Sequence, residues 1–148
     1  MSEDYLIIIP SDPEYVPNIA TQQMAFALFS SFVGKADDLN IVETEMIEFI
    51  APGQNFESLT CPVCGADLSE WWQDAMQAAY ANEFSDLMVE VPCCGAQGSL
   101  NDLNYYWPAG FARFRLQARN PGGDVDDGQL GLLAGIMKCE LRKIQAHY

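Results

Sequence analysis

The sequence predicts an α+β fold in which helices cover one antiparallel sheet. The run Tyr5-Leu6-Ile7-Ile8-Ile9 is wholly apolar and ends at Pro10, which is typical of a strand buried on both faces. A helical stripe and a second strand-like stretch follow this run. Strand, helix and strand patterns recur in the same order after residue 110. Together the two sets give the split βαβ order of a single sheet.

The first half of the predicted sheet ends at residue 50. Residues 18–34 carry apolar side chains at helical spacing, and Gly34 is a suitable stop for that helix. Its predicted core-facing residues are Ile19, Phe26, Phe29 and Val33. Residues 41–50 are rich in β-branched side chains and predict the second strand, which Ala51-Pro52-Gly53 then breaks.

The second half of the predicted sheet begins near residue 110. Between residues 111 and 119 apolar side chains alternate with polar ones, namely Arg113, Arg115, Gln117 and Arg119. Asn120-Pro121-Gly122-Gly123 ends this third strand, and Asp124 or Asp126 is placed to cap a second helix. The carboxyl-terminal residues, with Ile144, Ala146 and Tyr148 on one face, are predicted to form the last strand.

These elements predict a ferredoxin-like sheet, built from residues 1–50 and 110–148 of a single domain. Residues 51–109, the cysteine segment, are then predicted to be an insertion between the second and third strands. The segment carries a helix opened by Ser69-Glu70, a strand near residues 87–91, and a stretch from residue 99 to 108 that we predict to be irregular.

Four of the five cysteines lie in two stretches that align with each other, Cys61-Pro62-Val63-Cys64-Gly65-Ala66 and Val91-Pro92-Cys93-Cys94-Gly95-Ala96. The first predicts a zinc knuckle, a turn in which two thiolates hold one ion. In the second, Val91 stands where the first ligand is expected, so Cys93 is an irregular ligand. The sequence predicts one zinc ion bound by Cys61, Cys64, Cys93 and Cys94.

Two such knuckles separated by a helix resemble the zinc-ribbon class, and Cys-Pro-x-Cys-Gly is similar to ribbon and rubredoxin-type knuckles. The wider pattern runs from the aromatic helix through Pro-Cys-Cys-Gly to Trp107-Pro108-Ala109-Gly110-Phe111-Ala112-Arg113-Phe114. It resembles a group of small acidic bacterial proteins of unknown function. This resemblance implies a zinc site and carries no activity with it. Four thiolates close the coordination shell, so we expect the zinc to be structural.

Other interpretations of the cysteines stay open. A disulfide would suit a secreted protein, and a thioredoxin-like redox centre would need its Cys-x-x-Cys to open a helix after a strand. Iron accepts four thiolates as zinc does. If Cys93 does not bind, His147 or Cys139 is a candidate for the fourth position. Otherwise we expect His147 to be a half-exposed strand residue and Cys139 a small apolar one.

The net charge of −14 is distributed unevenly along the chain. Up to residue 110 the only basic residue is Lys35, against 17 acidic ones. Such a balance repels phosphate backbones, which makes nucleic acid an improbable partner. The acidic surface keeps the protein soluble and can also dock a basic partner. If the faces of the second and third strands coincide, Glu43 and Glu45 lie opposite the arginines.

The first residues of the sequence and the length of its apolar runs indicate where in the cell the protein lies. Met1-Ser2-Glu3-Asp4 is acidic and leads into too few apolar residues for a signal peptide. No run approaches the roughly 20 apolar residues of a membrane helix. We therefore expect the protein to be cytoplasmic and not bound to a membrane. Thiols stay reduced in that compartment.

No motif in the chain dictates a reaction, since it has neither a P-loop nor a Gly-x-Gly-x-x-Gly, Gly-x-Ser-x-Gly or His-Glu-x-x-His pattern. The sequence favours a non-enzymatic zinc protein that binds another, unidentified protein. The alternative is an enzyme or small-anion-binding protein that uses Arg113, Arg115 and Arg119 on an open sheet face. The aromatic pairs around Trp72 and Tyr105 suit core packing or an exposed platform.

Overall fold

The computed structural model describes residues 2–148, which form three helices and three antiparallel sheets. The strands are β1 Asp4–Pro10, β2 Asp38–Ile50, β3 Ser58–Thr60, β4 Met88–Glu90, β5 Gln97–Ser99, β6 Asn104–Tyr106, β7 Gly110–Arg119 and β8 Leu141–His147. The helices are α1 Ile19–Val33, α2 Ser69–Ala81 and α3 Asp127–Met137, and Leu100–Asp102 forms a short 3-10 helix. The predicted α+β class is confirmed.

The largest sheet has four strands in the order β2-β7-β1-β8, and every neighbouring pair is antiparallel. The apolar run of β1 lies inside it, with Ile8 and Ile9 fully buried. Helices α1 and α3 pack on one face, around Phe29 and Leu133. One predicted core residue is wrong: Ile19 is 71% exposed, because the buried side of α1 runs through Gln22, Ala25, Phe29 and Val33.

The predicted pairing of the second and third sheet strands is confirmed by β2 and β7. The charge ladder between them is wrong for Glu43, which lies opposite Phe114 and accepts a hydrogen bond from Gln22 of α1 at 2.8 Å. Directly opposed residues share a face, so this glutamate points towards the helices with Phe114. Arg115 instead pairs with Glu48, at 2.8 Å.

Between Glu43 and Glu48 the ladder is interrupted, and four residues of β2 lie opposite Arg113 alone. Such a bulge bends its strand away from the partner and re-aims the side chains on it. Two hydrogen bonds hold the bulge: Arg113 Nε donates to the carbonyl oxygen of Thr44 at 3.0 Å, and Thr44 Oγ1 donates to that of Met46 at 2.6 Å. The bulge is therefore a fixed feature of the strand.

The cysteine segment contains two short antiparallel ladders, β3 with β6 and β4 with β5, of which only the second is a hairpin. The prediction of an irregular stretch from residue 99 to 108 is wrong in part, because β6 lies within that stretch and pairs with β3. Aromatic side chains of the segment, including Trp72 and Tyr105, share one apolar cluster with Phe49 of β2 and Phe111 of β7. The segment thus packs on the end of the large sheet.

A buried amide, Asn101, joins the cysteine segment to the sheet. Its Nδ2 donates to the carbonyl oxygen of Ser11 at 2.7 Å, and its Oδ1 accepts from the backbone N–H of Phe111 at 2.9 Å. Arg142 of β8 donates to the backbone oxygen of Asn101 at 2.9 Å and to its Oδ1 at 3.2 Å. A Cβ on Gly110 would lie 2.8 Å from Arg142 Nη1, so a larger residue here would displace the Arg142 guanidinium from the junction.

We predict that Asn101→Leu lowers the free energy of unfolding by about 2–4 kcal/mol, because it leaves the buried groups of Ser11 and Phe111 without a partner. Urea denaturation measures the loss. Asn104→Leu makes the same chemical change at an exposed position and should cost less than about 0.5 kcal/mol. Equal losses in the two variants would show that the Asn101 hydrogen bonds are not what joins the segment to the sheet.

Candidate metal centre

The two cysteine-bearing turns have the same backbone. In the first, the Cys61 N–H donates to the oxygen of Ala66, and the Gly65 N–H donates to the oxygen of Cys61, both at 2.9 Å. The second repeats this pattern at Val91 N–H to Ala96 O, 2.9 Å, and at Gly95 N–H to Val91 O, 3.0 Å.

Both glycines adopt a left-handed conformation, with φ of 77° at Gly65 and 74° at Gly95, which a side chain would strain. The buried position at the start of each turn holds Cys61 in one case and Val91 in the other. The pseudo-repeat seen in the sequence is thus a repeat of structure. Only the second turn places a cysteine, Cys93, at the position where the first has Val63.

The turns bring Cys61, Cys64, Cys93 and Cys94 together, with all four sulfur atoms within 4.8 Å of one another. The Cys61–Cys94 and Cys93–Cys94 sulfurs are 3.8 and 3.9 Å apart, and the Cys64–Cys93 pair is closer, at 3.2 Å. A tetrahedral zinc with Zn–S bonds of about 2.3 Å separates its sulfurs by about 3.8 Å. The cluster therefore has the size and ligand type to hold one metal ion.

Local hydrogen bonds shift the pKa values of Cys61, Cys93 and Cys94 in different directions. The backbone N–H of Cys64 holds the pKa of Cys61 down to about 6, against the opposing effect of burial. The hydrogen bond with the Cys64 sulfur, together with burial, raises the pKa of Cys93 to about 12. At Cys94 the amide of Ala96 is the largest single influence and lowers the pKa, but burial and the neighbouring Cys61 sulfur raise it overall. Of these three thiols, Cys61 is thus the one that ionises most readily.

The site lies at the surface of the cysteine segment. Cys61 is buried in the apolar cluster of that segment, whereas Cys64, Cys93 and Cys94 are exposed. One side of a bound ion would rest on packed side chains, and the other would face solvent. An external chelator can therefore approach the site without unfolding the segment.

The structure also bears on the other interpretations of the cysteines. All five are free, and the closest sulfurs, 3.2 Å apart, are well beyond the roughly 2.05 Å of a disulfide. Cys61 and Cys64 lie in a turn, and α2 begins only at Ser69, so neither opens a helix as a thioredoxin-like centre requires.

The candidates for a replacement fourth ligand are occupied elsewhere. His147 lies at the end of β8, with Nδ1 2.6 Å from Oδ1 of Asp4, and is partly exposed. Cys139 follows α3 and packs against the core between the helices and the sheet. Among residues 2–148, neither belongs to the group of clustered ligands.

The three arginines predicted to hold an anion or a partner each contact a group of this chain. Arg113 binds the carbonyl oxygen of Thr44, Arg115 pairs with Glu48, and Arg119 pairs with Glu3 at 2.9 Å. The aromatic residues fall into a packed pair and an exposed pair. Trp72 Nε1 donates to the Tyr105 hydroxyl inside the segment, whereas Tyr106 and Trp107 are 49% and 40% exposed.

No local pattern in the sequence indicates the groove that lies between β2 and α2. Its residues are far apart in the sequence, and the only local signal is Met46, a large apolar side chain that lies between acidic ones along a strand. A pattern of one residue is too weak to predict a surface.

Comparisons with protein-family models, with curated proteins and with solved structures find no match to this chain. Within residues 2–148, no helix has the length and apolar character that crossing a membrane requires. The functional inference therefore depends on the cysteine cluster and on the surface around it.

The repeated backbone predicts that the second turn can be made regular. In the double variant Val91→Cys/Cys93→Val, the second turn acquires the Cys-Pro-Val-Cys-Gly sequence of the first. Position 91 has the hydrogen bonds and the burial of position 61, so we expect four thiolates still to surround one ion. A competition titration with a chelator should show metal affinity at least equal to wild type.

The single variant Cys93→Val is the matched control, because it removes one thiolate and supplies none. It should bind the metal more weakly than the double variant. If the two variants bind equally, positions 61 and 91 are not equivalent and the repeat does not extend to the ligands.

Proposed function

We propose that the four cysteines hold one structural zinc ion and that the protein is a non-enzymatic, cytoplasmic module that binds another protein. The proposal rests on one observation: two turns of the same backbone place four sulfur atoms within 4.8 Å of one another. Four thiolates fill a tetrahedral shell and leave no position for water or a substrate. The ion would thus act on the fold of the segment.

The same proposal covers the architecture. The strand order β2-β7-β1-β8, with α1 and α3 on one face, supports a ferredoxin-like unit, and the cysteine segment then corresponds to a zinc-ribbon insertion. Apparent zinc binding energies of about 10–16 kcal/mol in finger peptides are large enough to order a segment with a small core. Here the ion would fix α2 and both short ladders against the end of the sheet.

The surface supports a protein partner over the alternatives. A net charge of −14 opposes nucleic acid, since phosphate backbones carry the same sign. The small-anion alternative requires arginines that are free to reach a ligand, but Arg113, Arg115 and Arg119 are each held within the chain. An acidic surface instead favours a partner that presents basic residues.

Native mass spectrometry of the purified protein should find one zinc ion per chain. Cys64→Ser should abolish that stoichiometry and lower the thermal midpoint, because the ion that orders the segment is lost. Cys139→Ser, which changes a cysteine outside the cluster, should keep the zinc. Iron in place of zinc would correct the identity of the metal, and a metal-free wild type that melts like Cys64→Ser would falsify the site.

We also predict unequal contributions from the two adjacent cysteines. Cys94 occupies the position equivalent to Cys64, and the amide of Ala96 acts to lower its pKa, whereas Cys93 has no counterpart in the first turn. In chelator competition, Cys94→Ser should therefore lose about tenfold more zinc affinity than Cys93→Ser, a difference of about 1.4 kcal/mol. Equal losses would contradict this assignment.

A further inference from the structure

An apolar groove of about 810 Å³ lies between the bulge of β2 and the last turns of α2. Ile47 and Phe84 are buried beneath it, and Phe49 is partly buried. Met46, at 51% exposed, and Tyr80, at 72%, form its sides. Binding clefts in proteins are typically about 300–1,000 Å³, and contiguous exposed apolar side chains mark interaction surfaces.

The backbone on both sides of the groove is held in an unusual conformation. On one side is the bulge, which Arg113 and Thr44 fix as described above. On the other, Glu83 and Phe84 have φ of 57° and 58°, which is uncommon for residues other than glycine. This turn directs Phe84 inward. The centroid of its ring lies 5.3 Å from that of the Phe111 ring and 5.8 Å from that of the Tyr80 ring. Conformations of this kind persist where packing determines them, often at binding sites.

The charged residues that line the groove are all acidic: Glu45, Glu48 and Glu83. Glu48 is paired with Arg115, whereas Glu45 and Glu83 are exposed and form no ion pair within residues 2–148. A second copy of this chain also carries a net charge of −14, so repulsion between like charges would disfavour its binding here. The groove is therefore complementary to a ligand that carries positive charge beside apolar groups.

From this geometry we infer that the groove binds a short segment of a partner protein, in which lysine or arginine flanks a large apolar side chain. The apolar residue would lie over Phe49 and Phe84, between Met46 and Tyr80, and its basic neighbours would reach Glu45 and Glu83. Methionine and aromatic walls adapt to leucine, phenylalanine or methionine alike, so the class of side chain matters more than its identity. The inference rests on the proposed interaction function and names the chemistry of the partner.

The groove depends on the cysteine segment as well as on the sheet. Met46 belongs to β2, but Tyr80 and Phe84 belong to the segment, whose apolar cluster contains both Phe84 and Cys61. Loss of the metal would loosen that cluster, and with it one side of the groove. A metal-bound segment would thus be a condition for binding the partner.

The test is a selection of random 12-residue peptides against the full-length, zinc-loaded protein, followed by fluorescence anisotropy with the most enriched peptide. The enriched sequences should contain lysine or arginine beside leucine, phenylalanine or methionine. Tyr80→Ser and Met46→Ser should each weaken binding by about tenfold, as truncation of a central contact does. The double variant Glu45→Gln/Glu83→Gln should weaken binding at low salt and reduce its dependence on salt.

Matched controls distinguish binding in the groove from nonspecific apolar binding and from nonspecific electrostatic attraction. Met88→Ser removes an apolar side chain that is 62% exposed on β4, and Glu14→Gln/Glu57→Gln removes two exposed charges outside the groove. Both should bind the peptide like wild type. The zinc content and the thermal midpoint of every variant are measured first, so that loss of fold is not counted as loss of contact.

Three results would overturn the inference. The first is a zinc-loaded protein that enriches no peptide, and the second is enrichment of acidic or uncharged sequences. The third is a peptide whose affinity is unchanged in Tyr80→Ser and Met46→Ser while their zinc content is normal. A different result would concern the zinc alone. If metal-free Cys64→Ser protein binds the peptide with wild-type affinity, the structural role of the zinc is contradicted and the groove remains the binding site.

Discussion

The pairing of Ile50 with Gly110 in the β2–β7 ladder is the contact on which the rest of the structure depends. It brings the two ends of the cysteine segment to neighbouring positions on adjacent strands, so the segment leaves the sheet and returns at one place. The cost of closing so long a loop grows only slowly with its length. The ladder therefore allows the segment to build an apolar cluster with Phe49 and Phe111 without disturbing the order of the four strands.

Two further interactions determine how the segment is held. Asn101 and Arg142 satisfy buried polar groups at the junction, which gives the segment one orientation on the sheet. The cysteine cluster precedes Asn101 in the segment, and its Cys61 belongs to the apolar cluster that also contains Phe111. A metal ion there would stabilise the same packing that the junction orients, because both act on residues between β3 and β6.

The distribution of charge follows from these contacts. The arginines of β7 are engaged by Thr44, Glu48 and Glu3, so the basic residues of the third sheet strand serve the fold. The acidic residues outnumber them and stay at the surface, including those around the groove. The result is a molecule whose free surface charge is negative where its exposed apolar side chains lie together.

Local sequence patterns predicted the α+β class, the helices and strands of the large sheet, the pairing of β2 with β7, and the four clustered cysteines. Each depends on local periodicity or spacing, which the chain carries in consecutive residues. These patterns did not reveal the register, the β3–β6 ladder or the groove. Those depend on which distant residues meet: the register of β2 on β7 placed Glu43 opposite Phe114 and towards α1, and packing brought Met46 beside Tyr80. Only the tertiary structure decides such contacts, because no local pattern encodes the distance between residues far apart in the chain.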